Sequence, residues 1–207
     1  MTKIILVRHG ETVDNVKGII QGYNNDSELS EIGLMQAKKL SNILRRERIS
    51  AVYCSDLGRT LKTAQIIATP HDLKPIPIQD FRECDIGDWN NLLVKEAITK
   101  WINYYEKEKQ KGRPREDIRP PNGENSFDHQ KRVMGVLRKI IADHPQHTIV
   151  IVGHAGTNKV IIGSFNNSDP DNFYKVEQAN GCINIIDTNK CKILIVNDVT
   201  HLKDETN

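Results

Sequence analysis

Two histidines in this chain each follow a short apolar run and precede a glycine-bearing turn. They stand in Arg8-His9-Gly10-Glu11-Thr12, after residues 3–7, and in Gly153-His154-Ala155-Gly156, after residues 147–152. A neutral imidazole nitrogen can attack phosphorus when charge on the phosphate is neutralised. A phosphate monoester carries a charge of about −1.5 to −2 at neutral pH and repels a nucleophile. Such a site therefore needs cationic and N–H donors in place before the substrate arrives. Arg8, Arg59 and His154 are the candidate donors, and a guanidinium fork matches phosphate oxygens in pairs where an ammonium offers a point charge. Gly10 would let the backbone approach closely, and Asn15 could orient a ring or donate to an oxygen. A leaving alkoxide needs a proton, for which Glu83 is the candidate general acid.

The elements that must position these groups follow from periodicity. Residues 3–7 read as a buried strand ending at Arg-His-Gly, and residues 15–25, rich in Asn, Asp and Gly, as a loop. Ser30 is a helix N-cap, with Leu34, Ala37, Leu40, Ile43 and Leu44 at helical spacing behind it. A strand over 49–54, a helix over 57–68 closed by Thr69-Pro70, and a proline-bearing edge strand over 75–78 come next. Helices over 92–109, 126–143 and 157–164, a strand over 147–152 and a hairpin over 182–197 complete the chain. Between them, residues 111–122 are charged and broken by Pro114, Pro120 and Pro121, which suits a lid.

Alternating strands and helices predict one α/β domain over 1–207, a three-layer α/β/α sandwich on a mostly parallel sheet, with a helical or lid insertion around 90–125. Sheets of this kind bind ligands at the carboxyl ends of their strands, where strand order reverses. His9 and His154 both fall at such ends.

A net charge of +2 provides no global field for nucleic acid or an anionic membrane, so anion binding must come from a few converging groups. The apolar run before Arg8 is too short for a signal-peptide core or a membrane span. Cys54, Cys84, Cys182 and Cys191 form no CxxC pair. The expectation is a cytoplasmic protein with reduced thiols, alone or as a homodimer, whose partner is a small phosphorylated metabolite.

Taken singly, each chemical residue has an ordinary reading. Arg-His pairs are usually packing or surface, Glu83 alone is a solvated loop carboxylate, and Arg59 beside Lys62 is an exposed helix face. Arg113, Arg115 and Arg119 could reach a second anionic group, but a solvated charged loop is favoured. His201 could approach the pocket rim from the last segment, but surface or packing is favoured, and Trp89 and Trp101 are core anchors or lid contacts, with core favoured.

The ordered combination is more specific. Arg8-His9-Gly10-Glu11-Thr12-Val13-Asp14-Asn15 resembles the RHGET-x-x-N signature of the histidine phosphatase superfamily, the phosphoglycerate mutase-like family. Gln21-Gly22, Leu29-Ser30-Glu31-Ile32-Gly33 with Gln36-Ala37, and Ser55-Asp56-Leu57-Gly58-Arg59-Thr60 resemble its next blocks. Phe81-Arg82-Glu83 with Gly87 and Trp89, and Gly153-His154-Ala155-Gly156, resemble the later ones in the same order. The resemblance implies a phosphomonoesterase that needs no metal or other cofactor and works through a covalent phosphohistidine on His9. Arg8, Arg59 and His154 would form the phosphate pocket, with Asn15 and Gly22 lining it. Glu83 would be proton donor and then base. In keeping with this, His71, His129, His144, His147 and His201 show no paired ligand spacing. The alternatives are a phosphoglycerate mutase, which returns the phosphoryl group to another hydroxyl, and a phosphate-binding module without turnover. Asn90-Asn91, Cys54, Gly123-Glu124-Asn125-Ser126 and Asn158-Lys159 depart from the family pattern.

Overall fold

Alternation along the central strands builds two cores. In β1 (Lys3–Arg8), Ile4 and Leu6 face one side while Ile5 and Val7 face the other. The same division holds in β4 (Thr148–Gly153), with Ile149 and Ile151 against Val150 and Val152. A strand buried on both faces must be apolar throughout, and these are. One face packs on α5 (Ser126–Asp143) and α6 (Ala155–Phe165) through Val133, Leu137, Val160 and Ile161. The other packs on α2 (Glu31–Leu44) and α3 (Gly58–Ala68) through Leu40, Leu44, Ala64 and Ile67. The computed structural model, which describes residues 2–203, is thus a three-layer α/β/α sandwich.

The sheet order is β3-β2-β4-β1-β5-β6, with β2 (Ile49–Cys54), β3 (Ile76–Pro77), β5 (Ile183–Asp187) and β6 (Lys192–Asp198) as the remaining strands. β1 pairs with β4, β4 with β2, and β2 with β3, all in parallel. β5 runs antiparallel to both its neighbours, so it alone opposes the rest. The sheet is mostly parallel, as the pattern predicts, and β3 takes the edge expected of its prolines.

Helix starts follow their caps. Ser30 Oγ accepts the Gly33 N–H at 3.0 Å to open α2, and Asn125 forms a reciprocal capping box with Asp128 to open α5. The stretch read as a 15–25 loop instead begins with a short helix, α1 (Val13–Lys17), opened by Thr12 Oγ1 accepting Asn15 N–H at 3.1 Å. Gly18 closes it in the left-handed region at φ 68°. Five residues are too few to give an amphipathic period. α4 (Val94–Gln110) follows Trp89. Trp89 is half-buried and stands outside both cores, its ring packed edge-on against Trp101 and Tyr104 with centroids 6.0 and 5.7 Å away. The core reading of both tryptophans is thereby corrected: α4 carries its own aromatic cluster, because its bulky residues meet the 87–89 turn and not the sheet. Among the described residues no helix is long and apolar enough to cross a membrane.

Candidate active site

Parallel pairing in register sets Arg8 beside Gly153, so the residues that follow, His9 and His154, leave adjacent strands at the same end. The His9 N–H donates to the Gly153 carbonyl at 3.1 Å and ties the two exits together. The imidazoles meet edge-on with centroids 5.3 Å apart, and both residues are buried. His154 also occupies the N-cap position of α6.

The protonation of His9 follows from its surroundings. Burial holds its pKa well below 6.5, and the charges of Arg59 and Arg8 push in the same direction. The ring is neutral at physiological pH. Its Nδ1 lies 2.7 Å from the Gly10 carbonyl, which can only accept, so Nδ1 carries the hydrogen and Nε2 the lone pair. The backbone around this nucleophile is fixed: Gly10 N–H donates to Thr63 Oγ1, while Asn180 Nδ2 and Gly181 N–H both donate to the His9 carbonyl, at 3.2 Å each.

The cations are held from behind. Arg8 donates through Nη1 to the Gln178 carbonyl at 2.6 Å. Arg59, 1% exposed, donates through Nη1 to the Asn25 carbonyl at 2.6 Å and to Asp26 Oδ1 at 3.2 Å. Arg8 Nε, Arg59 Nε and Nη2 and both ring nitrogens of His154 are buried with no protein partner. A buried unsatisfied donor costs about 1–3 kcal/mol, so this concentration beside the His9 nucleophile has the form of an anion site. His154 is kept neutral by burial first and by Arg59, His9 and Arg8 next.

Glu83 reaches the same place from the loop after β3. Its Oε2 accepts the Gly156 N–H at 2.8 Å, and its Oε1 accepts those of Cys84 at 2.8 Å and Thr157 at 3.2 Å. The carboxylate therefore sits on the positive N-terminus of α6, directly after His154. A Cβ at position 156 would overlap Glu83 Oε1, which accounts for glycine at that place in the GHxG block.

Asn15 and Gly22 play supporting parts in these contacts. Asn15 Oδ1 accepts from Thr12 N–H at 3.2 Å and from Asn180 Nδ2 at 3.1 Å, linking α1 to the His9 carbonyl through Asn180. The Gly22 N–H donates to Asn90 Oδ1 at 3.1 Å, in a contact so close that any side chain at 22 would strike that oxygen. Asn90, one of the departures from the family pattern, is thus the latch for the 21–25 loop. The loop arginines turn to carboxylates instead: Arg113 to Glu108, Arg115 to Asp169 and Arg119 to Asp128. His201 lies in a short turn docked on α2, where Lys39 Nζ holds the Leu202 carbonyl at 2.9 Å.

Several residues that matter here escape a sequence reading. Asn180, Gln178 and Asp26 each fix a candidate catalytic group, yet amides and acids in loops carry no periodic signal. Cys84, Glu124 and His129 come together with donor atoms within 4.8 Å of one another, although nothing in their spacing announces it. The Glu124 carboxylate in that group is taken up by Arg132 and the Asp85 N–H, and burial raises the Cys84 thiol well above its usual range.

The pattern of the histidine phosphatase superfamily (branch 1) matches residues 4–198. The phosphoglycerate mutase-like protein 4 of Arabidopsis thaliana is 35% identical over 98% of this chain and 87% of its own length. The metal-independent phosphoserine phosphatase of the same plant is 33% identical over 98% of this chain and 84% of its own. The crystal structure of a phosphoserine phosphatase from Entamoeba histolytica, in complex with 3-phosphoglyceric acid, superposes with a TM-score of 0.81 at 28% identity, covering 98% of this chain and 100% of that one.

Proposed function

The chain belongs to the histidine phosphatase superfamily, and we propose that it hydrolyses phosphomonoesters of small metabolites, without a metal, through a covalent phosphohistidine on His9. The observation that carries this reading is the neutral His9, with its Nε2 lone pair, beside buried donors of Arg8, Arg59 and His154 that have no protein partner. Nε2 attacks phosphorus as the bond to the leaving oxygen breaks, and Glu83, which enters this step as the protonated carboxylic acid, gives that oxygen its proton. The phosphoryl oxygens gather charge in the transition state, where the two guanidiniums and His154 oppose it. Glu83, now a carboxylate, takes a proton from water as the water attacks phosphorus. The P–N bond breaks, inorganic phosphate leaves and His9 returns to its starting state.

The relatives named for phosphoserine phosphatase activity support a small phosphorylated hydroxy acid, such as phosphoserine, as substrate. The region 90–125 lies against the 20–22 loop through the Leu92 to Ile20 and Asn90 to Gly22 contacts, which suits a lid over that substrate. Free thiols at Cys54, Cys84, Cys182 and Cys191 fit a reducing, cytoplasmic setting.

The test is trapping by a denaturing alkaline quench with phosphoserine labelled in its phosphate. An acid-labile, base-stable protein label in the wild type, absent from His9→Ala together with turnover, is the expected result. Substantial turnover by His9→Ala would end the covalent mechanism. Interconversion of phosphoglycerates without phosphate release would favour the mutase reading instead.

A further inference from the structure

We propose that Arg132 and Glu124 form a clamp whose task is to position Glu83 as the proton donor, an inference that rests on the phosphatase reading above. Residues 80–85 cross behind the site with only a three-residue 3-10 turn (Gln79–Phe81) for regular structure, so their carbonyls need donors from elsewhere. Arg132, on α5, supplies them: Nη1 donates to the Asp80 carbonyl at 2.8 Å and to that of Arg82 at 3.0 Å, and Nη2 to that of Glu83 at 3.3 Å.

The same guanidinium is locked by Glu124. Its Nη2 pairs closely with Glu124 Oε1 and its Nε lies 3.2 Å from Oε2. Glu124 Oε1 in turn accepts the Asp85 N–H at 3.0 Å. One ion pair therefore grips the main chain on both sides of Glu83, while the Glu83 side chain is fixed on the opposite wall by α6. Arg132 and Glu124 side chains are only 15% and 16% exposed, and the Tyr23 ring lies under Arg132 at 5.1 Å. A planar fork spanning three carbonyls and a carboxylate is a geometry that lysine does not reproduce.

A brace that serves only the fold would lower every activity alike. A brace that aims an acid affects the substrates that need the acid, since displacement of a catalytic group by an ångström costs on the order of 100-fold. The experiment measures release of the leaving group in the first turnover for phosphoserine and for p-nitrophenyl phosphate, whose phenolate departs without a proton. Arg132→Met is expected to slow phosphoserine by about 100-fold and p-nitrophenyl phosphate by less than about threefold, as Glu83→Gln does, with Arg132→Lys losing about tenfold on phosphoserine. Arg132→Met added to Glu83→Gln should cost nothing further, because residues acting as a unit are not additive.

Equal losses on both substrates in Arg132→Met and Arg132→Lys, with Glu83→Gln still selective, would overturn the clamp and leave the mechanism standing. A Glu83→Gln variant that is itself unselective would overturn the acid assignment, and the clamp with it. If Arg132→Met does not fold, Arg132→Lys and Glu124→Gln carry the same comparison.

Discussion

The Glu83 carboxylate accepts the N–H of Gly156 at 2.8 Å, so the candidate acid rests on the helix that begins next to the candidate phosphate ligand His154. The glycine is required by this contact, because a Cβ there would overlap Glu83 Oε1. Gly156→Ala should therefore displace the carboxylate without disturbing the helix, in which alanine is favoured by about 1 kcal/mol over glycine. We expect kcat on phosphoserine to fall by about 10- to 100-fold at unchanged thermal stability. Steady-state kinetics beside a melting curve separate the two effects, and full activity in the alanine variant would show that Glu83 tolerates displacement.

Chelation should leave kcat unchanged. The charge that a divalent cation would supply to a transferring phosphoryl group is already present in Arg8 and Arg59, held at fixed positions by Gln178, Asn25 and Asp26. Activity after exhaustive dialysis against EDTA, compared with the untreated protein, checks this. A loss restored by one metal would direct attention to Cys84, Glu124 and His129, whose donor atoms lie close together.

Stability should decline on mild acidification. Burial depresses the pKa of His9, His129 and His154 well below 6.5 in the fold. Below about pH 6.5 these rings gain protons on unfolding, so the unfolded chain binds more protons and stability falls as the pH drops. The slope reaches about 1.4 kcal/mol per pH unit for each ring, or about 4 for the three. Asp56 and Asp198, with lowered pKa values, add loss in the same direction only toward about pH 4. Urea unfolding at about pH 7.5 and 5.5 is the measurement, and an equal or higher midpoint at the lower pH would contradict the buried neutral rings.

Much of the site was legible because the strands that carry it are strongly patterned. Residues 3–7 and 147–152 announce buried strands, and in a parallel sheet that alone sends His9 and His154 toward a common end. Arg59 and Glu83 were candidates by their chemistry alone, and the ordered family blocks singled them out from the other arginines and acids, since helix or loop position does not mark either as part of a site. The supports were not legible. Asn180 meets Asn15 across 165 residues and Arg8 meets Gln178 across 170, and local pattern holds no information at that range. The short helix α1 was missed for the complementary reason: a cap and one turn define it, without an apolar face. α6 likewise starts at Ala155, two residues ahead of the expected Thr157, because its first turn of small and polar residues carries no amphipathic period.

Asp26 opposes the charge that Arg59 offers to phosphate. Its carboxylate pairs with Arg59 Nη1 at 3.2 Å, and it also accepts the backbone N–H groups of Gly58 and Arg59 at the start of α3, where Leu57 provides no side-chain cap. Two roles in one side chain can be separated by substitution. Asp26→Asn keeps an oxygen for the helix end and removes the negative charge, so the pocket should hold inorganic phosphate more tightly, with the inhibition constant falling by about three- to tenfold at low salt. Asp26→Ala should do the same and also lose the cap, lowering stability by about 1 kcal/mol. Product-inhibition constants and urea midpoints for both variants supply the comparison. Weaker phosphate binding in Asp26→Asn would mean that Asp26 serves mainly to orient Arg59, and that its charge is the smaller effect.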